Sequence, residues 1–334
     1  MNPRVSVCIP VFNGEKYLTE TLDSIISQSM RDIEIVISDN ASTDNTVSII
    51  ADYAKKDKRI NVVLNQFNNG YCQNIASAVA SSNAEIIAVF HADDVYHPNI
   101  VLRELALLDV DSSIDAVFSL PKIFTKSPHK SVRKKFYKDL SHCSLYKPDL
   151  GAITGSYEEF LPLILEYGNI FACPSFMTRK VVFQELGGFT DKYPSNEDFE
   201  LWLKYLKTRH RLGIINDFLF NYRMSDDHAS AYWRARPELA VMYKVLDDLV
   251  INDRELTEKE RKLYRKNRSI GYMRATINAV KRREYINAKN LEVSSRKEYR
   301  LDFFSTWGFL QHLLHLIFFL FTIQNLGKRG NCDT

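Results

Sequence analysis

The sequence predicts an α/β fold: a mainly parallel sheet flanked by helices, followed by a helical C-terminal appendage. Three observations carry this. Short apolar, β-branched runs alternate with stretches of helical periodicity over residues 5–119, and strands alternating with helices of this length imply βαβ crossovers. The 334 residues are 45% hydrophobic, enough for a substantial core without a disulfide or metal staple. Beyond residue 231 the pattern is helical almost throughout.

The first strand is read at residues 5–10 (VSVCIP). Tyr17, Leu18, Leu22, Ile25 and Ile26 then recur at helical spacing. Strands at 33–38, 60–64, 85–90 and 114–119 follow, separated by helices at 43–55, 70–81 and 98–108. Continuous apolar strands of this kind suit a parallel sheet covered on both faces. The rhythm breaks after Leu120: residues 121–150 are basic and polar with several prolines, and read as a long loop. Order resumes over 171–223. A strand near 175–178 precedes a Gly187-Gly188-Phe189 turn and an amphipathic helix carrying Phe199, Trp202, Leu203 and Leu206 on one face. A domain over residues 1–230 and a helical region over 231–334 are expected.

The net charge is +3, but residues 254–300 hold 15 Lys/Arg against 6 Glu, so the rest of the chain is acidic. A basic segment on an acidic body suits an anionic surface, and equally a solvated helical face. The five cysteines, Cys8, Cys72, Cys143, Cys173 and Cys332, are scattered without a C-x-x-C pair. That argues against a disulfide framework or zinc site and fits a reducing compartment. No apolar secretory h-region follows the N-terminus, so a cytoplasmic location is expected.

Ligands of parallel α/β sheets bind outside the carboxyl ends of the strands. Strand one runs into Pro10-Val11-Phe12-Asn13-Gly14, strand two into Ser38-Asp39-Asn40, and strand four into His91-Ala92-Asp93-Asp94. The acids gathered there would repel one another unless a cation joins them. Hard oxygen ligands suit Mg2+ or Mn2+ bridging a diphosphate. Each acid also has a plainer use, Asp93 and Asp94 at a helix start and Asp39 in an Asx turn. Glu197 and Asp198 open the Trp202 helix, where acids favour the N-terminal dipole and where one carboxylate can serve as a general base. Neither G-x-G-x-x-G after strand one nor a G-x-x-x-x-G-K-[ST] motif is present, which counts against an NAD enzyme or a P-loop NTPase.

Taken together, PVFNGEKYL, SDNASTDNT, ADDVYHP, GGF and NEDFELWL occur in order between residues 5 and 230. In this order and spacing the chain resembles the inverting family-2 glycosyltransferases of the GT-A fold, of the bacterial cell-envelope polysaccharide type. The resemblance implies a metal-dependent transfer of a sugar from a nucleotide diphosphate, with a UDP-sugar the expected donor, to a saccharide or lipid-linked hydroxyl. It implies a nucleotide site lined by Pro10, Phe12, Asn13, Glu15, Asp39, Asn40, His91, Ala92 and Asp93. Asp39 would accept from a base N–H, Asp93 would hold Mn2+ or Mg2+, Asp198 would be the catalytic base, and Glu197 would bind the acceptor or orient the base.

Two positions depart from the family pattern. His91 stands where the first acid of D-x-D is expected. Tyr222-Arg223-Met224-Ser225 lacks the histidine of Y-R-x-H, which in the family can reach the metal; the nearest histidine, His228, lies three places later and is the candidate second metal ligand beside Asp93. These departures leave a catalytically inactive scaffold of the same fold as an alternative. A sugar-1-phosphate nucleotidyltransferase is another, although residues 10–17 lack its glycine-rich basic loop. Finally, residues 303–323 (FFSTWGFLQHLLHLIFFLFTI) are long enough to span a bilayer but interrupted by Gln311, His312 and His315. With the basic segment before them they read first as an interfacial helix on the cytoplasmic face of the inner membrane, then as a span, then as a core helix. The expected partners are the sugar nucleotide, the acceptor and an anionic membrane, with no nucleic acid.

Overall fold

A computed structural model of the chain describes residues 3–125, 140–224, 239–300 and 306–329. The chain divides into two compact units, Met1–Leu161 with Asn169–Ser225, and Pro162–Gly168 with Asp226–Thr334.

Among the described residues of the first unit, ten strands form one sheet. Their sequence order is β1 (Val5–Val11), β2 (Ile33–Asp39), β3 (Ile60–Leu64), β4 (Ile86–Val89), β5 (Val95–Tyr96), β6 (Ile114–Thr125), β7 (Tyr146–Lys147), β8 (Ala152–Gly155), β9 (Phe176–Arg179) and β10 (Arg211–Met224). Their spatial order is β3-β2-β1-β4-β9-β6-β10-β8-β7, with β5 on β10. β1 pairs parallel with β2 and β4, in register Val5↔Ile33 and Val5↔Ile86. All seven residues of β1 are buried because helices cover both faces, which is why this strand is apolar without alternation.

The expected α/β architecture is present, and the sheet is mixed. β9 runs antiparallel between β4 and β6. β6 extends to Thr125, into the segment expected as loop, because β10 pairs with it along its length through three register shifts. Those shifts break the alternation of β10 (RLGIINDFLFNYRM), so no strand is legible there from the sequence.

The flanking helices are α1 (Leu18–Ile26), α2 (Thr46–Lys56), α3 (Gly70–Ala80), α4 (Ile100–Val110), α6 (Lys180–Glu185) and α7 (Glu197–Lys207); α5 (Tyr157–Tyr167) begins in this unit and from Pro162 belongs to the second. α1 buries Leu18, Leu22 and Ile25 at helical spacing, each worth about 1.5–3 kcal/mol. Trp202 of α7 is fully buried, edge-on to Phe118 at 4.7 Å and against Phe176 at 4.4 Å. This fixes the start of α7 on the sheet.

Glu104 of α4 is fully buried; Ser119 Oγ donates to its Oε1 (2.6 Å), and its Oε2 has no partner. Burial lifts its carboxyl well above the ordinary range. The folded state therefore holds this proton more tightly than the unfolded chain. Its contribution is full below the unfolded value near 4.5 and is lost as pH rises toward the folded value. Glu104→Gln removes that loss. Relative to the parent, its melting temperature is expected to rise as pH increases above the unfolded value near 4.5. A pH-independent difference between the two in calorimetry would refute this.

The second unit is helical: α8 (Val241–Leu246), α9 (Glu258–Lys281), α10 (Tyr285–Glu298) and α11 (Thr306–Arg329). Thr257 and Glu260 form a capping box that starts α9. Gly271 is required where Tyr243 packs, since a Cβ there would lie 2.4 Å from the ring. The segment read as interfacial lies largely in α11. Its Gln311 is buried and donates to Ser295 Oγ (2.9 Å) and Ser269 Oγ (3.2 Å), and Phe318 packs on Ala279 and Ala288. Phe309, Leu313, Leu316 and Ile317 are exposed on the same helix. Among the described residues, no helix is long and apolar enough to cross a membrane.

Candidate active site

The loops after β1 and β2 are tied together by side chains. Asn13 takes a left-handed φ of 49°, which asparagine tolerates better than most residues. Its N–H donates to Ser42 Oγ (2.8 Å), and its Oδ1 accepts from the Thr43 N–H (2.8 Å). Glu15 Oε2 accepts from the Asn45 N–H (3.0 Å) and Nδ2 (2.8 Å). Both residues thus bond to the neighbouring loop. Asn40 is used similarly: Nδ2 donates to Asn68 Oδ1 (2.7 Å), and Oδ1 accepts from the Asn69 N–H (3.1 Å). Pro10 is buried within β1, whereas Phe12 just beyond it is 48% exposed.

Asp39 differs from these. It is 1% exposed; its Oδ2 accepts from the Ser42 N–H (3.0 Å), as in an Asx turn, but its Oδ1 is buried with no hydrogen-bond partner. A buried carboxylate oxygen left unmatched is costly, and a ligand N–H would satisfy it.

At the end of β4 the chain is pinned from several sides. The His91 N–H donates to the Tyr96 hydroxyl (2.6 Å), and the Tyr96 ring stacks on Phe90 at 4.0 Å. Thr21 Oγ1 donates to the Asp94 carbonyl (2.8 Å). Arg223, from the end of β10, donates its N–H to Asp94 Oδ1 (2.8 Å) and its Nε–H to the Asp93 carbonyl (2.8 Å). Its guanidinium also bonds Glu20 and lies 4.4 Å over the Tyr17 ring. The Tyr222-Arg223 motif therefore braces the acidic loop through its arginine, while His228 lies outside the described residues.

Asp94 is fully buried and its Oδ2 has no partner. Burial, then the adjacent Asp93 charge, pushes its carboxyl well above the usual range against the opposing pull of Arg223. One donor atom each from His91, Asp93 and Asp94 lie within 4.8 Å of one another. That is close to the span one ion bridges with bonds of about 2.0–2.6 Å. An orphaned buried carboxylate oxygen beside a second carboxylate and an imidazole fits a divalent cation. His91, Ala92 and Asp93 are each half-buried, so ligands can reach this edge.

The third part is the start of α7. Ser195, at φ 65°, donates its N–H to Glu197 Oε1 (2.9 Å). Asp198 Oδ2 accepts from Asn169 Nδ2 (2.9 Å), and its Oδ1 accepts from the Phe199 N–H (2.7 Å). Burial raises the Glu197 carboxyl above its ordinary value, although backbone hydrogen bonds oppose the shift.

Tyr71 links the second and third parts. Its hydroxyl is 2.9 Å from His91 Nε2 and 3.7 Å from Cys173 Sγ. Tyr71 is 38% exposed as a residue, but its hydroxyl is enclosed, which lifts it well above its ordinary range; Cys173, Asp198 and Glu197 push the same way. The α7 carboxylates therefore act on a residue that touches His91. Sequence reasoning did not single out Tyr71, Cys173, Asn169 or the bracing role of Arg223. For Tyr71 a signal existed: it lies in the first turn of α3, the helix that follows β3, where the chain passes the carboxyl edge of the sheet.

With this geometry in hand, the class is clear from comparison with known proteins. The fold is that of the GT-A glycosyltransferases, shared with Staphylococcus aureus TarS 1-349 in complex with UDP-GlcNAc (TM-score 0.61, 18% identity, 88% of this chain and 82% of that one). A mannosyltransferase of Pyrobaculum calidifontis in complex with GDP-Man and Mn2+ is similar to the same degree (TM-score 0.61, 17% identity, 94% and 85%). The profile of glycosyl transferase family 2 matches residues 6–187, and the chain belongs to that family. An uncharacterised glycosyltransferase of Haemophilus influenzae is 24% identical over 69% of this chain and 68% of its own length. One from Methanocaldococcus jannaschii is 26% identical over 66% and 71%. The resemblance read from the motifs is thus borne out at the level of family and fold.

Proposed function

We propose that this glycosyltransferase moves a hexose from a nucleotide-diphosphate donor, a UDP-sugar in the first instance, to a hydroxyl of a saccharide or lipid-linked acceptor. The transfer inverts the anomeric carbon, depends on Mn2+ or Mg2+, and serves surface polysaccharide synthesis. The observation that carries the proposal is Tyr71, which joins the His91-Asp93-Asp94 edge to the surroundings of Glu197 and Asp198. A cation-binding edge with a pair of carboxylates in electrostatic reach of it is what a metal-assisted displacement at a sugar phosphate requires. Neighbours of the same fold hold UDP-GlcNAc in one case and GDP-Man with Mn2+ in the other.

In this reading residues 1–230 form the catalytic domain, and Asp39 Oδ1 receives the ring N–H of the base. Pro10, Phe12, Asn13, Glu15 and Asn40 shape the nucleotide site, three of them by holding its loops. His91, Asp93 and Asp94 are the residues that would hold the cation, and a cation there offsets the charge that builds on the leaving diphosphate. Asp198, oriented by Asn169, takes the proton of the acceptor hydroxyl, and Glu197 contacts the acceptor. Its raised carboxyl favours a second assignment in which Glu197 itself is the base.

Uracil and guanine present a ring N–H to Asp39, whereas cytosine presents a lone pair. Calorimetry with the diphosphates is expected to show UDP binding at least about tenfold more tightly than CDP, the worth of roughly one charge-assisted hydrogen bond. Asp39→Ala is expected to narrow that gap. Equal affinities in the parent would remove Asp39 from base recognition.

The region from residue 231 onward is proposed to rest on the cytoplasmic face of the inner membrane. The basic segment supplies attraction of about 1 kcal/mol per Lys or Arg near an anionic surface, screened by salt. Phe309, Leu313, Leu316 and Ile317 add an exposed apolar face that salt does not remove. Phe318, being buried, does not contribute. Phe309→Asp with Leu316→Asp is expected to abolish the salt-resistant fraction bound to phosphatidylglycerol vesicles. Unchanged binding by this variant would rule out α11 as the contact.

A further inference from the structure

We infer that the cation edge is a mixed site of one imidazole nitrogen and two carboxylates, in which Tyr71 positions His91 and the nitrogen selects Mn2+ or Co2+ over Mg2+. This rests on the reading above, that the β4 edge holds a divalent cation.

The donors are His91, Asp93 and Asp94, each with an atom within 4.8 Å of the others. Asp94 supplies an independent sign of a ligand, since it is 0% exposed and its Oδ2 has no partner. His91 is held at its backbone and at its ring. Its backbone N–H is fixed by the Tyr96 hydroxyl, and Tyr96 is 3% exposed beneath Phe90. Its ring meets the Tyr71 hydroxyl at Nε2 and lies edge-on to the Tyr71 ring, at 6.0 Å and 84°. Tyr71 is steadied in turn by Phe189 at 6.2 Å and by Cys173. An imidazole has two distinct nitrogens, so a hydrogen bond on one fixes the tautomer and aim of the other. Such an outer hydrogen bond commonly changes metal affinity by about 10–100-fold.

The selectivity follows from ligand chemistry. Mg2+ takes oxygen ligands and parts reluctantly from water. Imidazole nitrogen binds first-row divalent ions increasingly well from Mn2+ toward Co2+ and Ni2+. An acid at position 91 would keep the edge all-oxygen and favour Mg2+ relatively more.

Pulsed electron paramagnetic resonance of the full chain loaded with Mn2+ and UDP, with histidine labelled by 15N, tests this directly. A histidine-nitrogen modulation on Mn2+ is expected in the parent and is expected to vanish in His91→Asp. Competition of Mg2+ against Mn2+ should show at least about a tenfold smaller preference for Mn2+ in His91→Asp. Tyr71→Phe, which keeps the ring, should weaken Mn2+ by about tenfold and leave Mg2+ nearly unchanged. No nitrogen modulation in the parent overturns the inference without reliance on any variant; so does modulation that persists in His91→Asp, or an unchanged Mn2+/Mg2+ ratio. Sugar transfer by a parent that lacks the modulation sinks this inference alone. Modulation without transfer from any donor sinks the enzymatic reading and leaves the metal site standing.

Discussion

Replacing Asp93 by alanine is expected to abolish both sugar transfer and the metal-dependent part of nucleotide binding while leaving the fold intact. The carboxylate is half-buried at the end of β4, and what ties this turn to the sheet is its backbone, through Arg223 Nε on the Asp93 carbonyl. Alanine keeps that carbonyl. What it removes is one of three donor groups in a cluster where Asp94 already has an unmatched oxygen. A cation stabilising a leaving diphosphate supplies several kcal/mol; losing about 4 kcal/mol slows the reaction about 10³-fold. Calorimetry of UDP with and without Mn2+ should show the metal-dependent increment in the parent and none in Asp93→Ala, with circular dichroism unchanged. A variant that retains the increment would show that the cation is held without Asp93.

Asp198→Asn is expected to lower kcat by about 10²–10⁴-fold, the usual worth of a general base, with donor affinity nearly unchanged. Asparagine keeps the shape of the side chain, and its Oδ1 can still accept from Asn169 or the Phe199 N–H. It cannot take a proton. Trp202 and Phe199 are fully buried, so α7 should stay in place. Glu197→Gln should cost less and appear mainly in the acceptor KM. The opposite ranking would transfer the role of base to Glu197. Its raised carboxyl predicts in that case an acid limb of kcat above the ordinary glutamate range, because the base works only when ionised and gains its proton as pH falls.

The parts legible in the sequence share a physical cause. β1, β2 and β4 are buried on both faces, so burial writes them as unbroken β-branched runs, and their ends point to the ligand edge of the sheet. β10 was illegible because its partners change along its length and its register slips at three places. β5, β7 and β8 are too short to show a period. Within the site, residue types were readable but their directions were not. Asn13, Glu15 and Asn40 sit at the expected edge, yet their polar atoms bond to neighbouring loops, and only loop geometry decides that. Asp39 kept one oxygen unmatched in the same surroundings. Asp94 reads from sequence either as a hard oxygen ligand or as a helix-start acid, and only its burial beside His91 and Asp93 sets it in the candidate metal cluster. Tyr71 carries no motif; its importance comes from contacts that cross from α3 to His91 and Cys173, 20 and 102 residues away.

Metal-assisted sugar transfer at the carboxyl edge of this sheet is measured by following nucleotide release together with glycosylated product. A panel of UDP- and GDP-sugars would be offered with saccharide and lipid-linked acceptors, in Mn2+ and in EDTA. Diphosphate release is expected to be matched one-to-one by product of inverted anomeric configuration, to depend on the metal and to be lost in both Asp93→Ala and Asp198→Asn. Full activity in EDTA, or no transfer from any donor by a folded parent, would contradict it.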